Sequence, residues 1–475
     1  MKVRGASHAR LCAALCCAVL LGCGASRLPL PPPVAADSVA LPPAPPAAPS
    51  EAALVLPTIR TLRGTHGLTV QLVELPGTAS VSIAAFGRGA GRHRPEGPRV
   101  VDALLERILE SSLLSTGSSL DTVLVDERGS SMRTLSTPER AARTLEWMMG
   151  SLTELPGSVG QFAVAQRTLA DAAALEHQNT WRAITEDLEA RLYPNGSARV
   201  PPERLGVARI RETTYEEVRA RHRQFFAPER TLVVIAGDFR MEPMAEWAQL
   251  LADKVAGPSS TPPPHAAVAQ ERPSLQGRGY SSGDELGVVV MVSHGPPIGA
   301  PDYAAYELAV QCYGGLFSSR INRLFRTERR EAYGASCAIT QRAGHSHLHC
   351  EVSIAAERAV DAVDLLLAEG RRMGRAESLE PSEVEAARAV ALASLRYLVE
   401  SPAGLSEELG TAFFAGLEPG AIAARHAELL RASPADIAAA AARYLPDHRP
   451  FVVLAPGSWI VSHPLHPPGG YAIDW

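Results

Sequence analysis

One pattern in this chain occurs twice. Arg230-Thr-Leu-Val-Val-Ile-Ala-Gly237 returns as Arg449-Pro-Phe-Val-Val-Leu-Ala-Pro456, 219 residues later. Each copy follows a helical stretch, TYEEVRARHRQFFAPER before the first and SPADIAAAAARYLPDHR before the second. A single apolar strand recurs easily by chance. Helix, turn, Arg and strand repeated in that order predict a duplicated folding unit. The 475 residues suit this, being too many for one ordinary core and enough for two domains of about 200 residues each.

Local patterns agree between the halves. Leu68–Glu74 and Ala79–Phe86 alternate as strands, and Val100–Leu114 is helical with Val101, Leu104, Leu105 and Ile108 on one face. Ser136–Leu155 and Gln161–His177 read as helices. In the second half, Glu285–Ser293 reads as a strand and Tyr303–Tyr313 as a helix. Ala332–Thr340 and Ser346–Ile354 form a hairpin about Ala343-Gly344, and Ala-rich helices lead to the last strand. The expectation is an α+β fold of two homologous halves. Each is an antiparallel-rich sheet with helices packed on one face, together forming a clamshell.

The amino terminus reads as a sorting signal. Lys2, Arg4 and Arg10 precede a short apolar run, Leu11–Leu21, too short for a permanent membrane span. Leu20-Leu21-Gly22-Cys23 resembles the bacterial lipobox, which makes Cys23 the expected lipidation site and 1–22 a signal peptide. Acyl chains on Cys23 would hold the protein at a membrane surface. Gly24 favours the outer membrane, facing the periplasm. Residues 23–57 are a Pro-rich tether, 58–256 the first half, 257–273 a Pro-rich linker, 274–457 the second half and 458–475 a tail. A formal net charge of −5 argues against a nucleic-acid partner.

The segment Tyr313-Gly-Gly-Leu-Phe-Ser-Ser-Arg-Ile-Asn-Arg-Leu-Phe-Arg326-Thr-Glu-Arg-Arg-Glu-Ala-Tyr333 resembles the second-half signature of the pitrilysin/insulinase family. More narrowly, it is similar to the branch of mitochondrial processing peptidase and its bacterial relatives. HGLTVQLVELPGTASVSIAAFGRGAGRHRPEG resembles that family's opening hairpin, and RARHRQFFAPERTLVVIAGDF the end of its first half. The resemblance spans roughly residues 58–457.

Active members of the family bind zinc through His-x-x-Glu-His on a first-half helix, with a downstream Glu as third ligand. Histidines at i and i+4 share a helix face, and the Glu takes a proton from metal-bound water. Here the matching stretch is Ala103-Leu104-Leu105-Glu106-Arg107. Glu106 persists, but Ala103 and Arg107 replace the histidines. Alanine offers no donor, and arginine is a fixed cation without a free lone pair. The downstream position falls near Asp171-Ala172. No zinc or other cofactor is therefore expected in this chain. Asp102, Glu106 and Glu110 recur at i, i+4 and i+8 as a carboxylate stripe, read as a solvated face with Arg107 as counter-charge.

The resemblance implies that Arg326 and Tyr333 are substrate-binding, gripping the peptide backbone and the charge that develops on its scissile carbonyl. Some bacterial relatives divide the labour between a zinc-bearing subunit and an Arg/Tyr subunit. The implied function is a non-catalytic, lipid-anchored subunit of an envelope zinc peptidase. Its partners would be a zinc-bearing subunit of the same family, a peptide or unfolded protein, and the membrane through Cys23. The alternative is an envelope scaffold or peptide-binding protein on a peptidase fold with no proteolytic role.

Three cysteines, Cys312, Cys337 and Cys350, fall in the body. Cys337 and Cys350 are symmetric about Ala343-Gly344, so a disulfide or two buried thiols are both open. His345, His347 and His349 alternate and so share one strand face, as a polar face, core-edge histidines or a metal site.

Overall fold

Two mixed sheets organise the chain. The computed structural model describes residues 53–88, 97–114, 122–125, 129–175, 206–257, 277–282, 286–342, 345–445 and 451–456. The expected signal peptide, Cys23, nearly all of the tether, the linker beyond Gly257, Ala343-Gly344 and the tail lie outside these residues. All described residues belong to one compact unit that begins at Glu51.

The first sheet contains β1 (Ile59–Arg63), β2 (Thr69–Glu74), β3 (Val81–Arg88), β4 (Thr122–Val125), β5 (Gly129–Ser136) and β6 (Thr231–Gly237). The second contains β7 (Gly277–Ser282), β8 (Leu286–His294), β9 (Ala332–Arg342), β10 (His345–Ala355) and β11 (Phe451–Pro456). Their orders are β1-β2-β6-β3-β5-β4 and β7-β11-β8-β10-β9. Without β1 the two coincide position by position. The echoed strands β6 and β11 hold the same place, each parallel to one neighbour (β2, β7) and antiparallel to the other (β3, β8).

First-half helices are α1 (Gly97–Leu114), α2 (Ala141–Thr153), α3 (Val159–Leu175), α4 (Val207–Glu212), α5 (Tyr215–Phe225) and α6 (Met241–Ala252). The second half has α7 (Tyr303–Val310), α8 (Ala359–Met373), α9 (Pro381–Glu400), α10 (Pro402–Ala415), α11 (Gly420–Arg431) and α12 (Pro434–Tyr444). The duplication reaches the caps. Thr214 and Glu217 close a capping box on α5, and Ser433 and Asp436 close one on α12. These pairs stand 219 residues apart, like the strands they precede. The helix expected over Ser136–Leu155 starts only at Ala141, because Ser136 ends β5 and pairs with Val81. The helix expected to reach Tyr313 opens into a π-helical turn at Gln311–Gly315.

Each sheet packs helices of its own half on one face. In the first, Val70, Leu72, Ile83, Val233 and Ile235 share a core with Leu104, Leu105 and Ile108 of α1. The opposite face of that sheet is also covered. Val73, Ala84, Phe86, Leu232 and Val234 join the second-half core, which includes Leu405 and Leu409 of α10. Accordingly β6 is buried along its whole length and β3 up to its last residue. The Phe86 and Phe414 rings meet edge to face at 5.8 Å. Arg88 Nε donates to the Phe413 carbonyl at 3.0 Å, and Arg133 pairs with Glu407 at 2.6 Å. On its other side α10 is tied back to its own half, since Arg425 binds Glu307 at 2.8 Å and Glu408 at 3.4 Å.

No helix among the described residues is long and apolar enough to cross a membrane.

Candidate functional site

The stretch that matches the zinc motif lies on α1. Leu104 and Leu105 face the core, while Ala103, Glu106 and Arg107 are half-buried. Immediately before them, Asp102 is held from α5. Arg221 Nε donates to Asp102 Oδ1 at 2.5 Å and Arg221 Nη2 to Oδ2 at 3.2 Å. Arg221 also lies over the Phe225 ring at 4.0 Å and donates to Gln224 at 3.1 Å. Both Asp102 oxygens thus face a guanidinium, and this corner of the expected carboxylate stripe binds α1 to α5. Asp171, where a downstream ligand would fall, is exposed on α3. Among the described residues no group of three or more His, Cys, Asp or Glu is placed to hold a metal. The donor set Ala103, Glu106 and Arg107 does not fit zinc: one carboxylate remains beside a cation.

The second group of residues is brought together. Arg326 and Tyr333 are close, and a third side chain joins them. The Arg326 guanidinium lies 4.6 Å from the centre of the Phe317 ring and 5.5 Å from that of Tyr333. Both rings are open to solvent, Phe317 at 75% and Tyr333 at 88% exposure. Single exposed rings are ordinary, as Tyr397 shows at 73% exposure, but here two lie against one guanidinium and form a patch. Tyr333 owes its position to a β-bulge. Ala332 pairs with Ile354 and Ala335 with Val352, so Tyr333 and Gly334 together oppose Ser353. Such an extra residue re-aims the side chains beside it. The strand that carries it, β9, is the last strand of its sheet.

Buried anchors fix the segment that bears Arg326. Arg320 is only 4% exposed; it donates to Glu383 at 2.9 Å and to Glu369 at 3.1 Å, and also binds the Ser378 carbonyl. Two carboxylates and a carbonyl thus satisfy Arg320 inside the fold. Asn322 links the Phe317 loop to β9. Its Nδ2 donates to the Phe317 carbonyl at 2.6 Å, and its Oδ1 accepts from the Ala335 amide at 3.2 Å. Arg320–Asn322 is one helical turn, continued by a π-helical stretch at Arg323–Glu328 that carries Arg326.

Cys337 and Cys350 are cross-strand partners and form a disulfide, which decides between the two possibilities open in the sequence. It lies against the Gly-Gly turn, where a Cβ on Gly314 would overlap the Cys337 sulfur. Cys312 is a buried free thiol, pushed up to about 12 by burial and then by the charge of Glu383. It is inert in that form. His347 is buried on β10, opposite Thr340 of β9 and His294 of β8. Burial lowers the pKa of His349 on the same face. The side chain of His345 lies outside the described residues.

Phe317, Arg320 and Asn322 were not singled out from the sequence. The usable signal was the Gly-Gly turn beside an exposed-type segment holding an isolated Phe. Nothing in the sequence marks which arginine of five is buried.

Residues 212–390 match the family model described as Peptidase M16 inactive domain. That span includes Phe317, Arg326 and Tyr333 but not α1. A protease from Helicobacter pylori superposes with a TM-score of 0.72 at 14% identity, covering 85% of this chain and 100% of its own. A peptidase M16 inactive domain from Pseudomonas fluorescens gives 0.70 at 18% identity, covering 84% and 98%. A chain of Complex III2 from Candida albicans gives 0.67 at 15% identity, covering 83% and 95%. No curated protein matches by sequence. These likenesses establish the fold: two α+β halves of the M16 peptidase type.

Proposed function

We propose that this chain is a non-catalytic, lipid-anchored subunit of a bacterial envelope zinc peptidase, binding extended peptide and offering Arg326 and Tyr333 to a partner's metal site. One contrast carries the reading. The helix that would hold a metal has Ala103 and Arg107 where donors are needed, while Arg326 and Tyr333 stand stacked and exposed on an anchored segment. The match of residues 212–390 to an inactive peptidase domain supports it. The split between a mitochondrial-processing-type branch and other branches of the family belongs to the same proposal, as do the anchor on Cys23, the outer-membrane location and the partner.

In this role the guanidinium and the phenol are the working groups. Both donate hydrogen bonds to a peptide carbonyl oxygen and strengthen them as negative charge grows there. The network of Arg320, Glu383, Glu369 and Asn322 keeps those donors from drifting. Preorganisation of this kind preserves the advantage of a fixed dipole over reorganising water.

The test is reconstitution with a zinc-bearing member of the same family. Cleavage of an unfolded protein by the pair should fall about 100-fold with either Arg326→Ala or Tyr333→Phe, the lower end of the range for removing an oxyanion donor. Cleavage equal to that of wild type with both variants would remove the contribution in trans and leave the scaffold reading.

A further inference from the structure

We infer that the Phe317–Arg326–Tyr333 stack, together with Arg330, is a carboxylate-selective subsite, so that the peptide this chain receives is acidic at the point of contact. The inference rests on the peptide-binding role of Arg326 and Tyr333 proposed above and names the class of peptide.

Three observations converge. First, Arg326 is held by aromatic faces and not by a carboxylate. Among the described residues it forms no ion pair, and its neighbours do: Arg323 with Glu328 at 3.3 Å and Arg329 with Glu331 at 3.0 Å. The Phe317 and Tyr333 ring centres lie 4.6 and 5.5 Å from the guanidinium carbon, and among the described residues no carboxylate takes its N–H donors. Its five N–H donors can serve a peptide carbonyl and a neighbouring carboxylate at once, the latter bidentately.

Second, Arg330 sits in the turn between Arg326 and Tyr333 with φ at 55°, in the left-handed region that favours glycine. It is exposed and, among the described residues, forms no ion pair either. A long cation kept in a strained backbone with no internal partner points to a partner outside the chain.

Third, the local charge is opposite to the whole. Around this turn Arg323, Arg326, Arg329, Arg330 and Arg358 face Glu328, Glu331 and Asp361. Two cations are left over in a protein whose formal net charge is −5. A local positive excess beside exposed aromatic rings complements an anion that carries apolar neighbours, which a neutral backbone carbonyl does not require.

The ligand chemistry is a carboxylate, supplied either by a Glu or Asp side chain or by a peptide's free C-terminus. The experiment uses the full mature protein in detergent and four ten-residue peptides of otherwise equal sequence, each carrying the same uncharged BODIPY dye. They carry central Glu or central Gln, each with a C-terminal acid or a C-terminal amide. Fluorescence polarisation at low salt should show the carboxylate-bearing peptides binding about tenfold tighter, the value of one charge-assisted hydrogen bond. The gap should close in high salt and shrink in Arg330→Gly, a change the left-handed backbone favours. A preference that follows the Glu side chain or the terminal acid supports the inference and identifies the source. Equal binding of all four peptides, still abolished by Arg326→Ala, would overturn the carboxylate subsite and leave the peptide-binding role standing. A preference untouched by Arg326→Ala and Arg330→Gly would place it elsewhere and also overturn the inference. Binding of none of the peptides would overturn both the subsite and the role on which it rests.

Discussion

Gly410 of α10 lies against the ring of Phe86 on β3, so close that a Cβ would overlap the ring. Two residues from different halves thus meet where the far face of the first sheet accepts a helix of the second half. Phe86 has the Phe414 ring on another side and is almost wholly buried, leaving it little room to yield. Gly410→Val should therefore destabilise the protein by about 2 kcal/mol through overpacking. Urea denaturation should show a lower midpoint with little change in slope.

Arg320→Ala should cost about 3 kcal/mol, because it leaves Glu369 and Glu383 without their cation in a largely buried place. It should also weaken peptide binding, since Arg326 follows Arg320 in the same helical segment. Arg320→Lys should recover little of either, because a point charge does not reproduce several fixed donors. Thermal melts and the peptide titration above measure the two effects on one preparation.

The disulfide closes a short loop, with Cys337 and Cys350 separated by 13 positions in sequence. Cys350→Ser should lower stability by about 3 kcal/mol on the chain-entropy estimate for such a loop. Cys312 should not react with a thiol reagent in the folded protein, because its thiol is buried and resists ionisation. Melts with and without reductant, and thiol titration with and without denaturant, check both expectations.

His222 gives the fold a dependence on pH. It is fully buried, with Nε2 at 2.8 Å from the Ser151 carbonyl, and burial pushes its pKa down to about 4. The unfolded chain takes up this proton near pH 6.5, well before the folded chain does. Stability from this group is complete above pH 6.5 and falls as the pH drops toward 4, by up to about 3 kcal/mol. Burial lowers the pKa of His426 also, which adds loss in the same direction. His222→Gln should flatten the slope of unfolding free energy between pH 4 and 6.5, measured by denaturant titration.

The duplication was legible because its signal is local. The strand, the Arg before it and the capped helix ahead of it repeat in sequence, and β6, β11, α5 and α12 stand in matching places. The Val101, Leu104, Leu105 and Ile108 face of α1 was legible for the same reason, as helical periodicity needs no knowledge of the partner. The crossing of α10 was not legible. Its partner face, including Ala84 and Phe86, lies more than 300 residues earlier, and periodicity does not say which distant surface a helix covers. A faint sign was present: Val81–Phe86 and Leu232–Ala236 are almost continuously apolar, as strands buried on both faces are. At the site, the pairing of Arg326 with Tyr333 came from a resemblance and not from pattern. Phe317 escaped notice because its role depends on a bulge at Tyr333 and a buried Asn322, which sequence spacing does not reveal.

The proposed function requires that this chain has no metal chemistry of its own. It is tested most directly by purifying the mature protein without its partner, saturating it with Zn²⁺, removing free metal and measuring both zinc content and hydrolysis of an unfolded protein. Far less than one zinc per chain and no hydrolysis above buffer are expected. One zinc per chain, lost on Glu106→Gln, together with cleavage by the isolated protein, would contradict it.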